Sequence, residues 1–460
     1  MSVAEAYELP VAQQPLVPPS PPRTAQKSGA LSWMRVLRKS ALSAWSQRAY
    51  EEDIIPGGFF GRTSFTVNTP DAIRHVLVDN YENYSRTPAG MRVLRPILGQ
   101  GLLVAEGRAW KHQRRTLAPA FTPRAVTNLV PHMIAVTDET IAMLKGRCDK
   151  PVDLREVMQR MTLEIAGRTM FSFGMARHGA TLRDFVMEYG VRLARPHLLD
   201  LALPLSSLDF ARARFRKRWT AFVAMLMAER RAAGKNDGAP PRDLFDLLGD
   251  ARDPETGNAF TDEQLGDEVA TMILAGHETT ATALFWALYL LALDPANQDK
   301  LAAEVNALPK DAPLELDRLK FTRAVIEETM RLYPPVFLIA RAAKAADTIA
   351  GFSVSPKDVI LISPWLLHRH EKLWQNPNAF VPQRFLPPAA PPDRFAYLPF
   401  GVGARVCIGA HFAMVEATLA LAKLIGAFEV ELADTTPVVP IGVVTTQPDR
   451  SPVFVIKSRA

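Results

Sequence analysis

The sequence predicts a mainly α-helical domain with a small β-rich subregion, and three observations lead to this prediction. Helix-type patterns dominate from about residue 108 onward. Short β-type runs occur only at 63–68, 347–354 and 358–362, so both ends of the chain contribute strands. No internal repeat and no low-complexity linker separates two globular halves of the 460 residues, which favours one domain.

The first 30 residues are predicted to lie outside the folded domain. Residues 1–30 are rich in proline and lack the basic and apolar regions of a signal peptide, so we expect a disordered or loosely docked tail. Residues 31–50 are amphipathic and basic, which predicts a surface helix packed on the domain; transient contact with a membrane surface is the alternative. The folded domain is therefore predicted to span 31–460.

The remaining elements follow from apolar periodicity and from helix boundary residues. A strand at 63–68 precedes a helix that begins at Thr69 and Pro70, because a capping residue followed by proline is typical of a first turn. The other predicted helices are 106–118, 124–146, 153–171, 181–195, 207–233, 262–294, 296–306, 318–332 and 408–427.

Composition excludes several classes of protein. The formal net charge of +6 is too small and too dispersed to indicate nucleic-acid binding. The longest apolar run, 281–293, is shorter than the roughly 20 residues that span a bilayer, so no integral membrane segment is expected. Two cysteines exclude a disulfide framework and suit a reducing compartment, which predicts a cytoplasmic protein.

The segment 400–409, FGVGARVCIG, is the strongest candidate site. Gly401 and Gly403 permit positive φ angles, and Arg405 places a cation close to Cys407. Cys407 stands just before a predicted helix, whose unpaired N–H groups and dipole would lower the pKa of the thiol. A thiolate without cysteine or histidine partners suits a single bond to a haem iron better than a zinc site, which needs four ligands.

The same segment resembles the haem-binding signature of cytochrome P450s, Phe-x-x-Gly-x-Arg-x-Cys-x-Gly, at every fixed position, including Phe400 and Gly409. The resemblance implies the cytochrome P450 fold and a haem b with Cys407 as its axial ligand. It also implies that the haem lies between the helices at 262–294 and 408–427.

A second motif, LAGHETTAT at 274–282, lies inside the long apolar helix. The residues alone allow its threonines to bond to carbonyls one turn earlier, with Glu278 at a solvated edge. The motif resembles the oxygen-binding groove of P450s. The resemblance implies two catalytic residues: Thr279 hydrogen-bonds the bound oxygen, and Glu278 relays protons to it.

A third motif, ExxR, comprises Glu328 and Arg331, which share one helix face and could be an exposed ion pair of little consequence. It resembles the P450 ExxR motif, which forms a buried structural triad with a later arginine. Arg384 is the expected third member, although Gln383 stands where the family more often has glutamate.

A fourth motif, WxxxR, places Trp110 and Arg114 on one face of a helix. It resembles the P450 motif whose two side chains donate to a haem propionate. By the same resemblance, Arg341 and Arg405 are the other expected propionate partners.

The resemblance implies a monooxygenase that uses O₂ as co-substrate. The chain shows no flavin- or nicotinamide-binding region, so NAD(P)H would act indirectly, through a reductase and an iron–sulfur ferredoxin or a flavodoxin. Lys111, Arg115 and Arg124 would favour an acidic partner of this kind. A monomer is expected.

The substrate pocket is predicted to be apolar, which indicates a lipophilic small molecule of fatty-acid, terpenoid or polyketide type. The resemblance implies that the stretches 86–104 and 190–208 contribute to it. Its predicted central residues are Leu274, Ala275, Val336, Phe337 and Leu338. Two alternatives stay open: a peroxide-using or hydroperoxide-rearranging enzyme of the same fold, and a non-catalytic haem protein that binds or senses a ligand.

Overall fold

The computed structural model describes residues 15–23, 36, 39–59, 62–175, 177–194, 207–234, 242–309 and 316–459. The α-helices within these ranges are α1 Pro70–Arg74, α2 Pro88–Leu98, α3 Gly107–Leu117, α4 Pro123–Thr127, α5 Val130–Lys145, α6 Leu154–Phe171, α7 Gly179–Glu188, α8 Ser207–Ala232, α9 Leu244–Asp250, α10 Asp262–Leu293, α11 Pro295–Asn306, α12 Lys320–Leu332, α13 Pro364–Leu367 and α14 Ala410–Ala427. Helices dominate, as the sequence predicts.

Within the same described ranges the strands form four small sheets. They are β1 Ile54–Phe59, β2 Arg62–Val67, β3 Tyr84–Arg86, β4 Pro151–Val152, β5 Ile339–Ala343, β6 Asp347–Ile349, β7 Phe352–Val354, β8 Val359–Ile362, β9 Phe428–Leu432, β10 Pro440–Gly442, β11 Thr446–Pro448 and β12 Phe454–Ser458. The largest sheet has the order β1-β2-β8-β5-β3 and therefore joins N-terminal and C-terminal segments. Only β2 and β8 are parallel in that sheet.

Most long helices lie where periodicity predicts them, with local differences. The predicted helix at 124–146 is broken into α4 and α5, and the one at 181–195 ends in a π-helical turn, Tyr189–Leu193. The run 347–354 is not one strand: Ala350 and Gly351 both have positive φ and turn it into the hairpin of β6 and β7. Helices α2 and α9 and most short strands were not predicted.

Helix α10 is the centre of the fold. Its start is fixed by a capping box, in which Thr261 Oγ1 accepts from the Gln264 N–H at 3.2 Å and Gln264 Oε1 accepts from the Thr261 N–H at 2.9 Å. From Thr280 to Leu291 every residue of α10 is buried. The helix packs against α6, α12 and α14, so its middle turns lie deep in the protein.

Helix α14 is the one candidate membrane span among the described residues. By length and composition it is apolar enough to cross a bilayer, with a mean hydropathy of 1.3, although the sequence predicts no membrane segment. However, 61% of this window is buried inside the protein, against α5, α10, α11 and α12. Its apolar character is therefore that of a core helix.

The N-terminal region is partly docked. Residues 15–23 lie on the domain: the Leu16 carbonyl accepts from the Phe380 N–H at 2.7 Å, and the Pro19 carbonyl accepts from the Tyr333 hydroxyl at 2.9 Å. The rest of the predicted 1–30 tail lies outside the described residues. The predicted helix at 31–50 is wrong at its C-terminal end, where two 3₁₀ turns, 41–44 and 47–50, replace it.

The loop between α2 and α3 is fixed directly on α10. The Gln100 and Leu102 N–H groups donate to the carboxylates of Asp267 and Glu268 at 2.7 and 3.0 Å. A Cβ atom at Gly101 would lie 2.2 Å from Thr271 Oγ1, so only glycine allows the loop to cross the helix so closely. This contact positions Ala105 and Glu106, which belong to the candidate site.

Candidate active site

The loop that carries Cys407 is a tight turn held by its own backbone. The Cys407 N–H donates to the Phe400 carbonyl at 2.9 Å, and the Val406 N–H donates to the Gly403 carbonyl at 3.1 Å. Gly401 and Gly403 have φ angles of 70° and 74°, as the sequence predicts. At Gly403 a Cβ atom would lie only 2.2 Å from the Leu77 carbonyl oxygen, so this glycine is required by a backbone contact as well.

The Cys407 side chain is exposed, yet desolvation raises the pKa of its thiol. The expected lowering of this pKa is therefore wrong for the polypeptide alone. The Gly409 N–H and the Arg114 guanidinium do lower it, but surrounding protein atoms outweigh them. The thiol is therefore accessible although many protein atoms lie around it.

Helix α3 contacts the cysteine loop through both members of the WxxxR motif. The Arg114 guanidinium donates to the Val406 carbonyl at 2.9 Å, beside the thiol. The indole of Trp110 lies under the Arg405 guanidinium, whose central carbon is 4.2 Å from the ring centroid. The two residues thus share a helix face but contact different residues of the cysteine loop.

Arg405 is the centre of a polar cluster. It donates to the Ala105 carbonyl and to the Glu106 carboxylate, both at 2.7 Å. Arg341, on β5, lies close enough for repulsion from Arg405 to lower its pKa, with burial as the larger cause. Arg86 and Glu106 also belong to this cluster. Neither was predicted as a member of this cluster: Arg86 was expected only within the pocket stretch 86–104, and the pairing of β3 with β5 is what brings it beside Arg341.

The donor set fits a haem. An accessible sulfur on a rigid loop suits a single axial bond to iron, and clustered guanidinium groups suit the carboxylates of a porphyrin. A zinc site is disfavoured, because zinc needs about four ligands. In the part of the chain that is described, no three histidine, cysteine or acidic side chains form a group that could hold a metal.

The middle of α10 has an accessible stripe between buried positions of the helix. Ala275 is exposed, and Met272, Gly276 and Thr279 are partly exposed. Thr279 Oγ1 donates to the Ala275 carbonyl at 2.5 Å, which is the back-bonded arrangement that the residues alone allowed. The lone pairs of this hydroxyl oxygen stay free to accept a hydrogen bond from a group bound in the groove, which is the space above this accessible stripe.

Glu278 is partly exposed, but its carboxyl group is hydrogen-bonded within the protein and does not stand free at a solvated edge. Its Oε1 accepts from Gln447 Nε2 at 2.7 Å, and Gln447 Oε1 accepts from Arg155 at 2.9 Å. Desolvation raises the pKa of Glu278 to about 7, although Arg155 and Gln447 oppose the rise. A water-sized cavity lies beside these hydrogen bonds. Its lining includes Arg155, Gln159, Thr282 and Gln447. Neither Gln447 nor Arg155 was predicted.

The groove on α10 and the cysteine loop belong to neighbouring helices. Helix α14 begins three residues after Cys407 and packs against α10. Thr280, the residue after Thr279, lies close enough to the buried Glu416 of α14 to lower the pKa of its carboxyl group, against the larger effect of burial. The fold therefore brings two distant sequence motifs to one region.

Comparison with known proteins agrees with this geometry. The family model for cytochrome P450 matches residues 19–450. The chain is a cytochrome P450. It is 34% identical to cyclooctatin synthase of Streptomyces melanosporofaciens, with 81% of each chain covered. It is 33% identical to cyclooctat-9-en-7-ol 5-monooxygenase of the same organism, with 72% of each chain covered. It is 30% identical to chloroplastic cytochrome P450 97B2 of Glycine max, over 82% of this chain and 76% of the relative.

The chain thus has the P450 fold and belongs to a monooxygenase family whose cofactor is haem. The ExxR motif of this P450 forms a buried ion-pair network. Arg331 donates to Glu328 at 2.7 and 2.8 Å, and Arg384 donates to Glu328 Oε1 at 3.3 Å. Arg331 also donates to the carbonyls of His368, Pro377 and Ala379, so its buried charge is fully hydrogen-bonded. Glutamine at position 383 leaves this network complete, because Arg384 supplies the third group.

The predicted pocket residues of this P450 are not equivalent. Ala275 is exposed, Leu274 and Leu338 are partly exposed, and the Val336 side chain is 45% exposed. Phe337 is buried against Gly442 instead. Of the predicted stretch 190–208, residues 195–206 lie outside the described residues.

Proposed function

We propose that this P450 is a haem-thiolate monooxygenase that inserts one atom of O₂ into a lipophilic small molecule, with electrons from a separate redox partner. The observation that carries the proposal is the accessible Cys407 thiol on the signature loop, beside the arginine cluster. Haem bound at this cysteine supplies an iron that binds and activates O₂.

Cys407 would bind the iron as a thiolate, because a coordinating metal deprotonates a thiol even where burial alone keeps it neutral. Arg405 and Arg341 would hold the haem carboxylates, with Trp110 supporting Arg405 from below. Arg114 donates to Val406 in the cysteine loop, which supports a position near the sulfur. Phe400 and Gly409 complete the loop, through the Phe400 carbonyl and the start of α14.

Glu278 and Thr279 would supply and place protons. A pKa of about 7 leaves Glu278 partly protonated at neutral pH, so it can both give and take a proton. Its carboxyl group bonds to Gln447, whereas Thr279 belongs to the accessible stripe. Delivery into the groove therefore requires rotation of the Glu278 side chain or a bridging water. An acid–threonine pair of this kind supports O₂ activation over the peroxide-using alternative.

The substrate would be a hydrocarbon-rich molecule. Leu274, Ala275, Val336 and Leu338 offer accessible apolar surface, and a dry apolar pocket disfavours unpaired polar groups. One relative is named as a monooxygenase of cyclooctat-9-en-7-ol, which is by name a cyclic unsaturated alcohol. Within the fatty-acid, terpenoid and polyketide range, we therefore rank cyclic terpenoid alcohols first.

The redox partner would be an acidic ferredoxin, or a flavodoxin, served by an NAD(P)H-dependent reductase in the cytoplasm. Two of the three basic side chains expected at the partner interface already have acidic partners within the protein. Lys111 is paired with Glu82 at 2.8 Å, and Arg115 with Asp253 and Glu255 at 3.1 and 2.9 Å. Arg124 is exposed and is the strongest candidate contact. Arg124→Glu is expected to raise the KM for the ferredoxin; an unchanged KM would remove Arg124 from the interface.

The proposed function is tested with ¹⁸O₂. The purified protein, a ferredoxin–reductase pair and NADPH are incubated with cyclic terpenoid alcohols, fatty acids and polyketides that first shift the haem from low to high spin. We expect NADPH consumption that depends on the compound and a product that carries one labelled oxygen atom. Turnover with hydrogen peroxide but not with the electron donors would establish the peroxide-using alternative. Binding shifts without any turnover would establish a ligand-binding protein.

A further inference from the structure

Asp267 of α10 contacts two other elements at the same time. Its Oδ2 accepts from the Gln100 N–H, in the loop 99–105 between α2 and α3, at 2.7 Å. Its Oδ1 accepts from the Arg216 guanidinium of α8 at 2.5 Å. The Asp267 side chain is 8% exposed and that of Arg216 27%, so water screens this ion pair less than a surface pair. One carboxylate thus joins α8, α10 and the loop.

The loop is shaped around Asp267. Gly99 has a φ angle of 58°, and a Cβ atom at this position would lie 2.1 Å from Asp267 Oδ1. At Gly101 a Cβ atom would lie 2.7 Å from the Asp267 carbonyl oxygen. Because glycine has no Cβ atom, the backbone can pass this close to the aspartate on both sides of Gln100. The sequence of the loop therefore suits contact with Asp267 at one place along α10.

Helix α2, which leads into the loop, is attached to α8 as well. Trp219 Nε1 donates to the Ile97 carbonyl at 2.7 Å, and the Arg92 guanidinium donates to the Asp209 carboxylate at 2.9 Å. Helix α2, the loop and α8 thus form one connected unit. Asp267 attaches two parts of this unit, the loop and α8, to α10.

The position of the loop bears directly on the candidate site. The loop crosses α10 at Thr271, one residue before Met272 in the accessible stripe. Its Leu103 side chain is 39% exposed. Two residues later, the Ala105 carbonyl accepts from Arg405 of the cysteine loop at 2.7 Å. A shift of the loop along α10 would therefore change the shape of the groove.

We propose that Asp267 is a positioning residue for ligand binding: it holds the loop 99–105 and α8 in the arrangement that binds a substrate in the groove. The inference rests on the proposed function, which places the substrate there. Without the charge of Asp267, Arg216 loses its anionic partner and the loop adopts further arrangements. Affinity then falls in proportion to the fraction of molecules in the binding arrangement.

The test uses the holoenzyme and two probes that bind to haem iron, 4-phenylimidazole and carbon monoxide. Asp267→Asn keeps the size of the side chain but removes its charge, and the Kd for 4-phenylimidazole is expected to rise about tenfold. Carbon monoxide should recombine faster after flash photolysis, because a loosened loop leaves the groove more open. The Soret band of the reduced carbon monoxide complex should keep its wild-type position, which separates positioning from damage to the haem site.

Asp262→Asn is the matched control. Asp262 pairs with Arg231 at 2.6 Å, so this variant breaks another ion pair between α10 and α8, but at an exposed position. It should keep the wild-type Kd and recombination rate. Wild-type values in Asp267→Asn, or equal changes in the two variants, would overturn the inference.

A second variant tests whether Asp267 acts through α8. Arg216→Leu should also raise the Kd, and in the double variant the two changes should overlap, because both break the same contact. Changes in Kd that multiply in the double variant would contradict this coupling. If Asp267→Asn is isolated without haem, Arg216→Leu decides: a raised Kd supports the inference, and the wild-type Kd contradicts it.

Failure of this inference is distinguishable from failure of the proposed function. A wild-type protein that binds haem through a thiolate, with Asp267 and Arg216 variants that bind both probes as the wild type does, refutes the role of Asp267 alone. A wild-type protein without a thiolate-ligated haem refutes the proposed function.

Discussion

Glu278 and Thr279 are neighbours in sequence, but their side chains have different partners. Thr279 donates to the Ala275 carbonyl within the accessible stripe, whereas Glu278 bonds to Gln447 on β11. The sequence predicted the pair through its motif. It could not predict Gln447, because β11 is a three-residue strand whose position depends on long-range packing. The sequence thus predicted the two residues of the motif but not the side chain that sets the pKa of Glu278 by bonding to it.

Gln447→Leu is expected to raise the pKa of Glu278 above its value of about 7. The Gln447 amide donates to the carboxylate and so favours its charged form; without this donor, desolvation acts with less opposition. If protonated Glu278 is the form that supplies protons, the alkaline limb of the kcat–pH profile should move to higher pH. Steady-state product formation across pH 6 to 9 is the measurement.

The control for this prediction is Gln375→Leu, which makes the same change at an exposed position. Its profile should match that of the wild type. A Gln447→Leu profile that also matches the wild type would show that Glu278 does not control the alkaline limb.

At the scale of elements, the cysteine loop depends on contact with another part of the chain. The sequence predicted positive φ at Gly401 and Gly403, and both angles have that sign. The reason for Gly403 lies elsewhere, in the Leu77 carbonyl at the π-helical turn His75–Asp79. The sequence cannot reveal this contact. A glycine required for a positive φ angle and a glycine required because another backbone lies close to it are the same letter in the sequence.

Gly403→Ala is expected to cost several times more stability than Gly401→Ala. Both substitutions place a Cβ atom at positive φ, which costs about 1 kcal/mol. Only at position 403 does that atom also meet backbone, 2.2 Å from Leu77 O, whereas nothing lies within 4 Å at position 401. Urea unfolding and the haem content of the purified variants measure the difference. Equal losses in the two variants would contradict the role of the Leu77 contact.

The long helices were predictable and most strands were not, for one physical reason. A helix such as α10 or α14 carries its apolar pattern in consecutive residues, so local sequence suffices. Strands of three to five residues, such as β3 and β5, are defined by partners far away in sequence. For this reason Arg86 was predicted only as part of the pocket stretch 86–104 and not as a neighbour of Arg341, whereas Arg341, Arg405 and Cys407 were predicted through the resemblance to the family's motifs.

At the scale of the whole molecule, buried carboxyl groups link stability to pH. Desolvation raises the pKa of Glu268 and of Glu416 to about 8 and that of Glu278 to about 7, from a usual value of 4.5. The folded state therefore binds more protons than the unfolded state between pH 4.5 and 8, and stability falls as pH rises through this range. Burial lowers the pKa of His277 and His368 to about 4 and 3, which has the opposite effect below pH 6.5.

Above pH 6.5 the histidines lose most of their charge in the unfolded state as well, so the carboxyl effect should dominate up to pH 8. We expect the free energy of unfolding to fall there by roughly 1 kcal/mol per buried carboxyl group. Glu416→Gln should flatten this slope, because the amide does not titrate. Glu263→Gln, at an exposed position of α10, should keep the wild-type slope. A Glu416→Gln slope identical to that of the wild type would contradict the assignment.

The account as a whole depends on Cys407 as the thiolate ligand of a haem. The most direct measurement is the absorbance spectrum of the reduced protein with carbon monoxide. We predict the red-shifted Soret band of thiolate ligation in the wild type and in Cys148→Ser, which changes the other of the two cysteines. Cys407→His should lose this band. Its persistence in Cys407→His, or its absence from the wild type, would contradict the account.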